Sequence, residues 1–529
     1  MDKTANLKIG FLLFLCSVLL AVCGGGDSSG SSVQVALTSP RINSDLASGD
    51  ELQFALVGSW SGVTAQPNEV YLQVRDVAGR FATPVSKSGS LGTDFSFSLS
   101  TLPTLTAGTY NCTVEVRACK DPNCLETYSG ASASIGYTLN VAAVSDWETH
   151  QRDSKHRGYV PIWLNPSRFA KAWEWSREPD SEPIGGINAV VTSQGKVYVT
   201  KDVYFGQGIL HALNESDGSE AWRVSFGQVP ALNPPAVSNG HVYAAVTGHQ
   251  DTYLWAFNAE TGAYLYKSAF EGQWPHVLAP TVYENQVYTG GGYYGGMTYS
   301  FSTVDGSRTW EHSAGGVWDM YTPAVDDLYT YHYNGNALFL IDRMTGVTSA
   351  TIADPFGSNS NYDYHGAPVI GWRNNVFTFA GGAFSGRASS NVEQYEQRVF
   401  SSFNINTKSY EWSTSYAYLT APAVANGVIY AARNSPMSLD AIDEVTGQVL
   451  WSWAPTGNGD TSFHRNTVVT RNILFVSTDK AVYALDLATR MPVWSYPKPG
   501  MLAISADRKL YIATGAQESD GKLVAVKLN

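Results

Sequence analysis

Side chains able to do chemistry are spread along the second half of the chain in aromatic and histidine pairs. Trp274 and His276, Trp318 and Asp319, Tyr364 and His365, Tyr418, and Phe463 with His464 and Arg465 all fall in segments between apolar runs. Tyr204, Phe205, Tyr293, Tyr294 and Tyr333 lie in a second set of such segments. Aromatic faces with a few polar tips are the makings of a binding surface. Imidazoles from separate segments could hold a transition metal only if their loops converge, and a lone His276 or His464 is otherwise a solvated loop residue. No His-Glu-x-x-His, phosphate loop or EF-hand loop occurs, nor a Cys-x-x-Cys-His haem site. No catalytic residue, metal site or cofactor is therefore assigned.

Cysteines are sparse and sit early. In Thr109 to Cys119 the even positions carry Tyr110, Cys112, Val114, Val116 and Ala118 between mostly polar neighbours, so the even face should be the buried one. Cys112 then points inward, and Cys119 lies on the other face, able to meet Cys124 across the turn Lys120-Asp121-Pro122-Asn123. A hairpin disulfide between Cys119 and Cys124 is the expectation for an exported chain. A metal held by the three cysteines is the competing reading, opposed by parity and by the lack of a nearby histidine.

The elements that position these residues follow from the pattern of runs. Residues 33–144 hold six or seven β-rich runs separated by Gly, Pro, Asn, Asp and Ser, which implies an immunoglobulin-like β-sandwich. Ala107-Gly108-Thr109-Tyr110-Asn111-Cys112 resembles the tyrosine corner of such domains. From residue 145 to 529 a unit recurs, with a turn residue at Gly218, Gly262, Gly306, Gly346, Lys408, Gly447 and Arg490. Four positions later stand Trp222, Tyr266, Trp310, Ala350, Trp412, Trp451 and Trp494. A Val-Tyr type strand marks eight copies, at Tyr198, Tyr243, Tyr288, Tyr329, Phe377, Tyr430, Phe475 and Tyr511. Four short strands in about 40 residues make a propeller blade. The last copy lacks its turn and Trp strand, and Phe169 to Trp175 is the missing piece, so strands from both termini of the repeat region should close the ring. The fold expected is all-β: a sandwich followed by an eight-bladed β-propeller. Gly381 to Gln397 is an insertion in the fifth blade. On this alignment the aromatic and histidine segments become loops on one face of the propeller, a partner-binding ring.

The repeats, such as Leu439-Asp440-Ala441-Ile442-Asp443-Glu444-Val445-Thr446-Gly447-Gln448-Val449-Leu450-Trp451, resemble the pyrroloquinoline-quinone-like propeller family. That family holds quinone dehydrogenases and non-catalytic scaffolds, the latter including the lipidated BamB outer-membrane assembly factors, which the chain resembles in blade number and anchoring. The resemblance implies that a dehydrogenase would grip a quinone with a vicinal cysteine pair and Ca²⁺ with Glu, Asn and Asp; residues 145–529 contain no cysteine.

At the amino terminus Lys3 and Lys8 precede the apolar run Ile9 to Val22, too short for a bilayer helix of about 20 residues and suited to a signal peptide over residues 1–22. Leu20-Ala21-Val22-Cys23 and the Gly/Ser-rich stretch through residue 32 resemble a bacterial lipobox and tether. The resemblance implies acylation of Cys23 and an outer-membrane location; an ordinary secretory signal is the alternative. Charged residues are 15% of the chain, and 34 Lys and Arg against 46 Asp and Glu leave a net charge of −12. Such a chain repels a phosphate backbone, which argues against a nucleic-acid partner. The reading is a non-catalytic, lipid-anchored envelope protein that binds a protein partner or a surface glycan and meets the membrane through its anchor only. A quinone-dependent periplasmic dehydrogenase and a cell-surface adhesin are the alternatives.

Overall fold

In the computed structural model the described residues are 33–62, 70–82, 87–88, 94–176, 186–201, 203–248, 252–272, 279–291, 297–313, 321–356, 367–380, 398–514 and 521–529. Cys23 and the insertion Gly381 to Gln397 lie outside them. Strands dominate, and the one helical element among the described residues is the short 3-10 turn Pro166–Arg168. The chain divides into two units, 1–42 with 53–100 and 111–137, and 43–52 with 101–110 and 138–529.

Two sheets build the amino-terminal β-region. One runs in the order Val33–Leu37, Gln53–Gly62, Asp94–Thr101, Phe81–Ala82; the other runs Ile42–Ala47, Thr127–Ala142, Gly108–Cys119, Tyr71–Asp76, Lys87–Ser88. Leu56 and Phe97 from the first sheet and Val114, Val116 and Ala118 from the second lose essentially all contact with water. Phe81 and Tyr137 meet edge to face across the interior at 5.1 Å. The even-numbered face of Gly108–Cys119 is thus the buried one, with Glu115 and Arg117 half-exposed between its members. Tyr110 Oη donates to the Thr106 carbonyl at 2.9 Å, pinning the corner ahead of that strand.

Two cysteine expectations need correction. Cys112 is free as expected but only half-buried, because burial along the even face begins at Val114. Cys119, expected on the polar face, is fully buried: its bond to Cys124, with Cα atoms 5.0 Å apart, ties it under its own turn.

Among the described residues the repeat region forms eight four-stranded antiparallel blades in seven sheets. Their innermost strands are, in blade order, Val191–Ser193, Ala236–Ser238, Thr281–Tyr283, Ala324–Val325, Val369–Ile370, Ala423–Ala425, Phe463–Val469 and Met501–Ile504. Blades 1 and 2 are fused into one sheet by the pairs Ala231 with Thr247 and Leu232 with Val246. Blade 8 is completed from the other end of the repeat region: Ala170–Ser176 lies antiparallel on Lys522–Lys527, with Trp175 opposite Leu523. Closure by both ends satisfies an edge that would otherwise expose its backbone donors and acceptors.

The recurrence of glycine at the turn and Trp four residues later has a direct cause. Each Trp strand ends one blade, and its ring lies on the turn of the next blade. A Cβ on Gly262 would stand 2.7 Å from the Trp222 ring, and one on Gly447 would stand 2.5 Å from the Trp412 ring. Both glycines have φ near +70°, a conformation that costs other residues about 1 kcal/mol or more. In blades 1 and 3 the indole N–H also donates to a backbone carbonyl of that turn, from Trp222 to Ala259 at 3.1 Å and from Trp310 to Arg343 at 2.9 Å.

Candidate functional site

The innermost strand of a blade has a partner on one side only, and its free edge faces the axis. Residues 147–164, which the repeat pattern leaves unassigned, cover those edges. Thr192, Val237, Val325, Ile370, Val424 and Val469 occupy the same position in six blades. Each donates its backbone N–H to a carbonyl of this segment: Trp147, Glu148, Ser154, Lys155, Arg157 and Gly158 in turn, at 2.7 to 3.0 Å. Thr149 Oγ1 reaches the third blade at Pro280 O (2.6 Å), and Trp163 O accepts from Arg508 of the eighth at 2.9 Å. The segment therefore circles the axis, meeting the blades in order and pairing strand edges that no blade can pair for itself.

Tight turning is needed to follow so small a circle. Gln151, Arg152, His156 and Gly158 all have positive φ. At Gly158 a Cβ would come within 2.7 Å of Gln151 Nε2 and 3.1 Å of Thr467 O. Gln151 and His156 inside the circle use their side-chain polar atoms fully. Gln151 donates to Pro422 O (2.7 Å) and Thr467 O (3.1 Å) and accepts from Asn466 (2.7 Å), whose other bonds go to Leu502. His156 is pinned between Pro368 O at 2.9 Å and Thr281 Oγ1 at 3.1 Å.

Electrostatics follow from burial. Desolvation pulls the His156 imidazole down to about 4 and holds His150, 5.3 Å away ring to ring, well below its ordinary value, with the His156 ring adding to the effect. Both are neutral at pH 7. Burial, assisted by Asp146, pushes the Glu148 carboxyl up to about 7.

Above the segment is a cavity of about 20 Å³ lined by Trp147, His150, Pro234, Pro235, Ala279 and Met501, among others. It has room for little more than a water molecule. A quinone with Ca²⁺ does not fit the described walls: the amide oxygens there, of Gln151 and Asn466, are committed to each other and to the backbone. Among the described residues no three His, Cys, Asp or Glu side chains converge as metal ligands.

The expected aromatic and histidine ring is only partly within the described residues. Trp274, His276, Trp318, Asp319, Tyr364 and His365 lie outside them, as do Tyr293 and Tyr294. The described members are not loop residues. Tyr418 ends the strand Ser409–Tyr418, is buried, stacks on Phe400 at 5.1 Å and donates to Asp440 at 2.9 Å. Burial would raise the Asp440 carboxyl, but hydrogen bonds from Arg433, Ser438, Ser452 and Tyr418 outweigh it and hold the group below its usual range. Phe463, His464 and Arg465 lie within the innermost strand of blade 7 and are buried. Desolvation, then the Arg465 charge, drive His464 down to about 3. Tyr333 is likewise buried, bonded to Asp354 at 2.8 Å. These side chains support the blades, because the strands run further toward the loop face than sequence spacing indicates. Phe205 alone of the described set is exposed, at φ +54°.

The axial residues His150, Gln151 and His156 were missed by the repeat pattern. Their signal is a polar, Arg- and His-bearing run, Thr149 to Tyr159, with no strand alternation between two β-regions.

Residues 164–267, 207–453 and 420–529 match the family model described as outer membrane protein assembly factor BamB. No curated protein matches the chain. Among solved structures, BamB from Moraxella catarrhalis is similar at 13% identity with a TM-score of 0.49, over 68% of this chain and 99% of that one. A quinohemoprotein alcohol dehydrogenase from Pseudomonas putida HK5 is similar at 14% identity with a TM-score of 0.51, over 73% of this chain and 80% of that one. Identities this low speak to the propeller fold alone.

Proposed function

Because the chain belongs to the outer membrane protein assembly factor BamB family by the greater part of its length, we propose that it is a non-catalytic envelope protein whose propeller binds a protein partner on the inter-blade-loop face. The observation that carries this reading is the axial segment. A propeller that pairs its inner strand edges with its own axial segment, beside a cavity of about 20 Å³, gives the connecting loops a rigid support, which supports a binding role. Chemistry that varies from blade to blade then belongs in the connecting loops, where Trp274, His276, Trp318, Asp319, Tyr364 and His365 stand in the sequence. Acylation at Cys23 would hold the protein on the outer membrane. Among the described residues no helix is long and apolar enough to span a bilayer.

The test has two arms. Pyrroloquinoline quinone with Ca²⁺ should neither raise the melting temperature nor support dye reduction with an alcohol or a sugar; cofactor-dependent turnover replaces this reading with the dehydrogenase. In pull-downs from intact membranes, Trp274→Ala with Trp318→Ala should weaken capture of the outer-membrane assembly machinery more than about tenfold at unchanged melting temperature. Unchanged capture removes the loop face from the proposal. In the same fractionation Cys23→Ser should leave the membrane.

A further inference from the structure

The opposite ends of the blades carry the turns between first and second strands and between third and fourth. Most of these turns use the polar and glycine residues that tight turns demand; blades 6 and 7 each carry one exposed aliphatic there, Val445 and Met491, and blades 3 and 4 carry four between them. Val304, Leu328, Met344 and Val347 are 81%, 65%, 61% and 64% exposed, although they sit in or beside turns. Ser216, Glu260, Asn406, Val445 and Ala488 stand where Met344 does in other blades, and Ser219, Ser307, Gln448 and Met491 stand where Val347 does, so polar and aliphatic side chains both fit these positions. Nothing in the turn geometry asks for an aliphatic side chain.

The four side chains share one neighbourhood. Arg343 N donates to Leu328 O at 3.0 Å, which sets Met344 beside Leu328. Arg343 Nη2 bonds Glu284 of blade 3 at 2.8 Å, and Thr303 N donates to Asn285 O at 3.0 Å, which brings Val304 to the same junction. Tyr283 Oη bonds Asp327 across the two blades. Side chains this exposed make a patch of roughly a few hundred Å², the size at which an apolar patch on a monomer is commonly functional.

Charge decides what could cover it. Glu284, Asp305, Asp326 and Asp327 rim the patch, and within these turns Arg343 is the one basic residue, already committed to Glu284. Asp305 and Asp327 are exposed. An anionic lipid surface would be repelled. A second copy docking isologously would set Asp305 and Asp327 against their own counterparts, which costs free energy unless a cation intervenes. We infer that the turn face of blades 3 and 4 docks a protein segment that presents aliphatic side chains flanked by Lys or Arg. This surface lies at the other ends of the blades from the loop face and does not depend on the reading above.

The full chain should be titrated with a fluorescent amphipathic helical peptide of Leu and Lys, and with the same pattern carrying Glu for Lys. The Leu/Lys peptide should bind saturably, about tenfold or more weakly to Leu328→Asn with Met344→Asn, at unchanged melting temperature. Asp305→Asn with Asp327→Asn should lower affinity severalfold and flatten its salt dependence. Should the first pair not fold, Val304→Ser with Val347→Ser gives the same reading. Equal binding of the Leu/Glu peptide, or Leu/Lys affinity that ignores these substitutions, overturns the inference. A sedimentation dimer that the Leu328 and Met344 pair dissolves would also overturn it, giving the face to a second copy.

Discussion

Burial fixes the protonation of the axial histidines, and through it the response of the fold to acid. His156 titrates near 4 in the folded chain against 6.5 for a solvated imidazole. The unfolded state therefore holds the extra proton between those values, and stability contributed above pH 6.5 is lost as pH falls toward 4. Two and a half units correspond to roughly 3 kcal/mol at most. Glu215 acts in the opposite sense: desolvation raises its carboxyl to about 7, so its contribution falls as pH rises from 4.5 to 7. Urea unfolding should thus show a shallower loss of stability between pH 6.5 and 4 in His156→Asn than in wild type, whatever the variant's stability at pH 7. Identical acid slopes would rule out a buried neutral His156. None of this is legible in sequence, where the repeat pattern leaves His150 and His156 unassigned and His464 reads as a loop residue. A neutral buried histidine is recognised by the backbone carbonyls and hydroxyls around it, here Pro368 O and Thr281 Oγ1, which come from distant blades. Strand parity, a local property, did locate Val114, Val116 and Ala118 correctly.

Between one blade and the next, a single residue pair does most of the specifying. Gly447 is constrained twice, by φ +69° and by the Trp412 ring 2.5 Å from where its Cβ would be. Gly240, at φ +77°, has nothing within 4 Å of that position and so feels the first constraint only. Gly240→Ala should cost about 1 kcal/mol and Gly447→Ala roughly 2 to 4 kcal/mol, the excess vanishing when Trp412→Ala is added. A double-mutant cycle by denaturant unfolding measures that coupling, and additive costs would mean that the ring yields freely. The chain already contains the natural control: Lys408 occupies the turn at φ +54° where the preceding blade supplies Ala350 in place of Trp. Arg490 takes the other route, with its guanidinium 5.7 Å from the Trp451 ring centre. Because this interface is one residue against one residue once per blade, it prints a repeat on the sequence, and blade number and ring closure were readable from it. The axial segment prints no such repeat. Its bonds to the inner strands are backbone to backbone, and its side-chain bonds from Thr149, Gln151 and His156 reach carbonyls in different blades, so neither kind repeats along the chain.

At the scale of the whole propeller, closure rests on noncovalent contacts at one junction. Ala170–Ser176 pairs with Lys522–Lys527; Trp173 Nε1 donates to Glu215 O at 2.9 Å, and Tyr511 Oη donates to the Glu215 carboxylate at 2.7 Å. The first contact belongs to blade 8 and the others tie blade 8 to blade 1, so removing one strand opens both. Deleting Phe169 to Trp175 should therefore unfold the propeller or make it oligomerise, since the bared edge of Lys522–Lys527 can recruit another chain. The axial segment sharpens this expectation. It holds six inner strands by hydrogen bonds, so it resists radial spreading of the ring but offers blade 8 no substitute outer strand. Loss of that strand is consequently not compensated from the axis. Light scattering with thermal unfolding distinguishes the outcomes, and a peptide of residues 165–177 added in trans should restore a monomer if the defect is the open edge. A deletion variant that stays monomeric with an unchanged melting temperature would mean that the axial circle, rather than the terminal strand, closes the ring.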